Sequence, residues 1–212
     1  MAGIALKDQI FDQIYSSDLE RAFDTALSIL KNNDKMVHDD TAQMIHKSTS
    51  PKKISPGIQT TPLLRERDFG VYDPKTGAEF KKASQEAGYK NDRYYRPDGG
   101  ENEADVMKRV NEFMDSFLKS FTCNDDKILT KNVLITTHCG WIWRLAEHLL
   151  QYNITHPEKN CSDFQNFKSG AVIKIHNTAI FKFELLVDTR LSKLVSYICT
   201  ECNSATHLDS SI

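Results

Sequence analysis

Hydrophobic and polar positions recur along this chain in two periods, and the switches between them mark out its elements. The opening stretch, through Leu6, reads as the end of a helix, and a short strand is expected around Gln13-Ile14-Tyr15. Ser16-Ser17-Asp18 then reads as a helix-start signal, and Ala22, Phe23, Ala26, Ile29 and Leu30 keep helical spacing to Lys31. Residues 32–57 are polar and predict a long surface loop. Ile58 to Leu64 predicts a strand leading into Arg65-Glu66-Arg67-Asp68-Phe69-Gly70, followed by a helix over Gly77 to Ala87 and a cationic loop through Lys90, Arg93 and Arg96. Val106, Val110, Phe113, Met114, Phe117 and Leu118 mark an amphipathic helix. Val133-Leu134-Ile135 reads as a buried strand, and Trp141 to Leu150 reads as a helix. A polar stretch to about Lys168 precedes two apolar runs, Ala179–Leu186 and Leu194–Cys199.

Strands alternating with helices imply an α/β fold whose sheet is covered on both faces. With no internal repeat and no composition break, residues 1–212 are expected to form a single domain. Composition narrows the function. Twenty-seven Lys and Arg against 29 Asp and Glu give a net charge of -2 and no electrostatic case for nucleic acid, so an anionic ligand must rely on a local cluster of cations. No stretch approaches the roughly 18 apolar residues that span a bilayer, and the N-terminus lacks the pattern of a secretory signal. Five cysteines, at 123, 139, 161, 199 and 202, suit reduced thiols better than a disulfide framework. A cytoplasmic protein without membrane contact is expected.

Thr136-Thr137-His138-Cys139-Gly140 is the most informative segment. A strand that ends in histidine and turns through glycine into a helix presents the imidazole at the carboxyl edge of a sheet, where ligands of α/β proteins bind. Two other segments carry residues suited to phosphate chemistry. Arg21 stands one turn into the helix after Ser16-Ser17-Asp18, and Glu66 lies between two arginines in a loop after a predicted strand. Arginine offers a bidentate fork, histidine a further donor, and a carboxylic acid the proton that a departing alkoxide needs. Taken singly, each has a plainer reading: a surface arginine, a glutamate paired with Arg65 or Arg67, a capped strand-to-helix turn.

In order along the chain, Ser16-Ser17-Asp18-Leu19-Glu20-Arg21, Leu64-Arg65-Glu66-Arg67-Asp68-Phe69-Gly70, Pro97-Asp98-Gly99-Gly100-Glu101 and Thr137-His138-Cys139-Gly140 resemble the motifs of the histidine phosphatase (phosphoglycerate mutase-like) superfamily. Asn177-Thr178 also resembles a pattern of that family, and the resemblance runs from near residue 2 to about 208. Within it the chain is most similar to fructose-2,6-bisphosphatases of the TIGAR type. The resemblance implies a three-layer α/β sandwich with a mostly parallel central sheet. It also implies a phosphatase that uses no metal or other cofactor, acts on a small phosphorylated sugar and passes through a phosphohistidine. By the same resemblance Glu66 and His138 are catalytic, as proton donor and phosphoryl stabiliser, Arg21 binds the phosphate, and Arg96, Gly99 and Gly100 shape the substrate entrance. Glu66 then needs a pKa raised by burial above the usual value of about 4.3.

One element of the pattern is missing. The family's nucleophile lies in an Arg-His-Gly motif at the end of its first strand, and no Arg-His-Gly occurs in these 212 residues. The first histidine is His38, in a polar loop. His138 in the nucleophile's place would have to attack from the opposite side of the pocket. The expectation is a domain lacking that first strand: a shortened isoform, a gene model started at an internal Met, or a fragment, rather than an evolved pseudoenzyme. The chain as it stands would then be inactive, and a phosphosugar-binding remnant is the alternative. Two rival chemistries are weaker. Cys139 and Arg144 are separated by four residues where the loop of cysteine-dependent phosphatases needs five, and Cys199-Thr200-Glu201-Cys202 with His207 lacks a second ligand pair at zinc-finger spacing.

Overall fold

Three parallel strands set the frame: β1 (Gln13–Ser17), β4 (Ile58–Thr61) and β5 (Val133–Thr136), in the order β4-β1-β5. Their register places Ser17 beside Thr61 and Ser16 beside Thr136, so all three run out at one carboxyl edge. The structure is a computed structural model and describes residues 2–37, 53–54, 56–73, 76–121, 130–154 and 175–209.

Strand alternation sends side chains to two opposite cores. On one face Ile14, Leu134 and Ile58 meet α1 (Ala2–Ala5) and α2 (Glu20–Lys31), packed with Phe11, Ala26, Ile29, Leu30 and Met36. On the other, Tyr15, Val133 and Ile135 meet α4 (Glu103–Lys119) and α5 (Cys139–Leu149). Helix, sheet and helix form the three layers expected. The second core is aromatic, with Tyr15 edge-on to Phe113 at 5.6 Å and to Phe117 at 5.9 Å between ring centroids. Trp141 is wholly buried in the same core, and its Nε1 donates to the Leu63 carbonyl at 2.9 Å.

Several boundaries differ from those the sequence suggests. Ser16 and Ser17 close β1 instead of capping α2: both are fully buried, and Ser16 Oγ donates to the Ser17 carbonyl. Leu19 is the N-cap, and only its backbone N–H reaches Ser17 Oγ, at 3.2 Å. The predicted strand to Leu64 stops at Thr61, because Pro62 turns the chain into a 3-10 turn, Pro62–Leu64, capped by the Thr61 hydroxyl. The loop predicted over 32–57 is closed at its ends by a parallel pair, β2 (Met36–Val37) with β3 (Lys53–Ile54), while residues 38–52 and 55 lie outside the described residues. Most of the polar stretch before Lys168 lies outside them as well.

Helix α3 (Gly77–Glu86) begins in a capping box between Thr76 and Glu79. The two late apolar runs are β7 (Ile180–Asp188) and β8 (Lys193–Ser204), an antiparallel pair. With β6 (Asn153–Ile154) they form a second three-stranded sheet, and α6 (Thr206–Asp209) follows β8.

The start of α4 carries a capping box between Asn102 and Asp105. Asn102 Oδ1 accepts from the N–H groups of Ala104 and Asp105, and Asp105 Oδ2 accepts from the Asn102 N–H in return. Asn102→Ala leaves these donors unpaired, and should lower stability by about 1 kcal/mol. Urea denaturation would show it as a lower midpoint with an unchanged slope.

Candidate active site

Each strand of the parallel sheet delivers one of the singled-out segments to the shared carboxyl edge. Beyond Ser17 the chain enters α2, which places Arg21 in its first turn. Beyond Thr61 the 3-10 turn leads to Glu66. Beyond Thr136, Thr137 leads to His138, the N-cap of α5. Residues separated by more than a hundred positions thereby meet: Arg21 Nε donates to His138 Nδ1 at 3.3 Å.

This contact fixes the chemistry of the imidazole. A nitrogen that accepts from a guanidinium carries no proton, so neutral His138 holds its proton on Nε2. Among the described residues, that Nε2 is buried and has no hydrogen-bond partner. An unsatisfied buried donor costs about 1–3 kcal/mol, which an incoming acceptor would recover. The protonated ring is disfavoured here. Burial first, then the Arg21 and Arg109 charges, push the His138 pKa down to about 4, against a smaller opposing effect of Asp18.

Glu66 meets the same corner from the other side. Its carboxylate accepts from the Gly140 N–H at 3.0 Å (Oε1) and 3.2 Å (Oε2), and Oε1 also accepts from the Arg67 N–H at 2.9 Å. The N-terminus of α5 therefore holds an acid two residues from His138. The approach requires glycine: a Cβ on residue 140 would lie 2.3 Å from Glu66 Oε1.

Neither flanking arginine closes an ion pair with Glu66. Arg65 forms a bidentate pair with Asp18, at 2.7 and 2.6 Å, which holds the Asp18 carboxyl below its ordinary range. Arg67 turns inward, donating to the carbonyls of Glu101, Asp92 and Tyr95 and lying over the Phe69 and Phe80 rings. The plainer reading of Glu66, a carboxylate neutralised by a sequence neighbour, is not what the chain folds into.

Arg96, Gly99 and Gly100 make a different set of contacts. Arg96 pairs with Asp105 on α4. Gly99 takes φ +68, and Gly100 packs so closely that a Cβ there would meet Asp68 O at 2.8 Å and Gly70 N at 2.9 Å. The Asp-Gly-Gly-Glu turn is thus a buttress under the loop that follows Glu66, and its four residues have no hydrogen bond to Arg21 or His138 among the described residues. Thr178 adopts φ +58, with its hydroxyl 3.3 Å from His207 Nε2.

The rival chemistries find less support. Arg144 points away from Cys139 into ion pairs with Glu103 at 3.0 Å and Glu147 at 2.5 Å, so it cannot close a phosphate loop around that thiol. Cys199 and Cys202 are buried on β8, and among the described residues no three His, Cys, Asp or Glu side chains gather as a metal site. No helix among the described residues is long and apolar enough to cross a membrane.

An arginine and a neutral histidine meeting at the carboxyl edge of a parallel sheet, with a glutamate at the next helix N-terminus, agree with the sequence pattern, and the match over residues 39–168 decides the family. The chain belongs to the histidine phosphatase superfamily (branch 1). Over 118 residues it is 35% identical to the fructose-2,6-bisphosphatase TIGAR B of Danio rerio, a match covering 56% of this chain and 39% of that protein. The match thus spans about two fifths of the length of this relative. In fold it resembles the mycobacterial glucosyl-3-phosphoglycerate phosphatase, at 18% identity and TM-score 0.62 over 96% of this chain and 82% of that one. It also resembles the phosphoglycerate mutase of Bacillus anthracis, at 18% identity and TM-score 0.59 over 98% and 79% of the two chains. The α/β fold is therefore that of the phosphoglycerate mutase-like proteins.

Two outcomes follow from this geometry. With a folded pKa of about 4 against the ordinary 6.5, protonation of His138 opposes folding. The stability it contributes is complete above about pH 6.5 and falls away as pH drops toward 4, by up to about 3 kcal/mol. His138→Gln should flatten that part of the stability–pH curve measured by urea denaturation. Gly140→Ala should expel the Glu66 carboxylate, which a changed Gly140-region amide spectrum with intact far-ultraviolet dichroism would report.

Proposed function

We propose that this domain acts as a phosphatase on a small phosphorylated sugar, with fructose 2,6-bisphosphate the leading candidate. The observation that carries the reading is the buried Nε2–H of His138, presented beside Arg21 where an equatorial phosphoryl oxygen would sit. Arg21 clamps the transferred group, His138 stabilises its charge, and Glu66 delivers a proton to the departing sugar oxygen. The Arg96 side chain, 56% exposed, and the Gly99–Gly100 turn shape the entrance. The similarity to a fructose-2,6-bisphosphatase supports the choice of substrate.

In this chemistry the phosphoryl group passes to an imidazole and then to water. His138 is poorly suited to be that imidazole, because its unprotonated nitrogen already accepts from Arg21. The family's nucleophile motif, Arg-His-Gly, does not occur in the sequence. That fact favours a second reading for these 212 residues alone: they bind a phosphosugar without turning it over.

Both readings predict that orthophosphate or vanadate moves the His138 imidazole resonance, and that Arg21→Gln or His138→Gln weakens binding about tenfold or more. An unmoved resonance would sink both. Release of inorganic phosphate from fructose 2,6-bisphosphate separates them. Turnover that drops about 10²-fold or more in Glu66→Gln supports the enzyme, and binding with no release supports the second reading.

A further inference from the structure

Arg109 belongs to none of the phosphate motifs, yet its guanidinium is tied more fully than any of the residues in them. It stands on α4, with a side chain only 16% exposed. Nη1 donates to the carbonyls of Leu63 at 3.1 Å and Arg65 at 2.9 Å. Nη2 donates to the carbonyl of Glu66 itself at 3.2 Å. The other side of the fork grips Glu101, through Nε to Oε1 at 2.8 Å and Nη2 to Oε2 at 2.7 Å.

Glu101 extends the grip past Glu66. Its Oε2 accepts from the Asp68 N–H at 3.0 Å, and its own N–H donates to the Asp68 carbonyl at 2.8 Å. The backbone is therefore pinned before, at and after residue 66, by a partly buried ion pair rather than by regular secondary structure. This loop lies between a 3-10 turn and another, Gly70–Tyr72, and has no ladder of its own to hold it. A planar fork with five donors can satisfy that many acceptors at once, and a lysine ammonium cannot.

We propose that Arg109, braced by Glu101, is a positioning residue that sets the Glu66 carboxylate against the N-terminus of α5 beside His138. The proposal deepens the phosphatase reading, and its kinetic consequence rests on that reading. Its structural consequence does not.

The test is nitrogen-15 spectroscopy and amide exchange of the folded chain carrying Arg109→Lys, with Glu66→Ala as the reference. Arg109→Lys keeps the charge and most of the aliphatic stem, so α4 amides from Val110 to Phe117 should hold their protection. The Gly140 and Arg67 amides should exchange about tenfold faster and shift toward their positions in Glu66→Ala. Glu101→Gln should move the same two amides in the same direction. Gly140 unchanged, or changed only together with all of α4, would overturn the proposal. If Arg109→Lys does not fold, Glu101→Gln carries the same test. Where turnover is measurable, Arg109→Lys should lower kcat more than it raises KM, in the same sense as Glu66→Gln. Absent turnover with the Gly140 response intact would count against the phosphatase reading and leave the positioning role standing.

Discussion

The constraint on which the rest depends is the register of three short parallel strands. Because Ser17 lies level with Thr61 and Ser16 with Thr136, the segments that follow them start from the same edge, and Arg21 and His138 meet at 3.3 Å. A slip of one residue in β5 would turn Ile135 and Leu134 to the wrong cores and carry His138 away from Arg21. The register is held by what the two faces bury. Ile14 and Leu134 are committed to the α1–α2 side, and Tyr15 and Ile135 to the α4–α5 side. The hydrophobic pattern of strands only four or five residues long thus sets the geometry of a site made of polar groups.

The electrostatics of that site run against ordinary pairing. Burial keeps His138 neutral, and the charges of Arg21 and Arg109 reinforce the effect; Arg109 is paired with Glu101, so the cation beside the imidazole is Arg21. Such a corner favours an anion with several acceptor oxygens, and phosphate has this character. Asp18 could compete for Arg21, but it is held in a bidentate pair with Arg65. The two arginines beside Glu66 are likewise engaged elsewhere, one with Asp18 and one with loop carbonyls. This leaves the carboxylate facing the helix N-terminus.

Behind the site, loops rather than ladders carry the load, and each is fastened by a side chain that is itself partly buried. Arg67 lies over the Phe69 and Phe80 rings while binding three carbonyls, and Phe80 is in turn packed against Tyr72 and Tyr95. In the Pro97-Asp98-Gly99-Gly100-Glu101 turn Gly99 takes a positive φ and Gly100 serves close backbone approach, facing Gly70 at distances no Cβ would tolerate. These irregular segments are fastened by charge-assisted hydrogen bonds to backbone carbonyls.

By itself the sequence determined the order of the main elements, the two-faced sheet, and the residues proposed for the chemistry. The apolar period is local, and motifs such as Thr137-His138-Cys139-Gly140 are contiguous, so both are readable along the chain. It also carried the family resemblance that the match over residues 39–168 confirms. What only the tertiary structure decided were the partners. That Arg65 binds Asp18, that Arg67 turns inward, and that Glu66 faces Gly140 could not be read from a run of Arg-Glu-Arg, where all three charges look equivalent. Arg109 was invisible for the same reason. It resembles any solvated arginine on an amphipathic helix until folding brings three carbonyls from residues 63–66 within its reach. Hydrogen bonds to backbone carbonyls leave no mark in side-chain pattern, so the sequence singles out the candidate groups and folding chooses the groups that hold them in place.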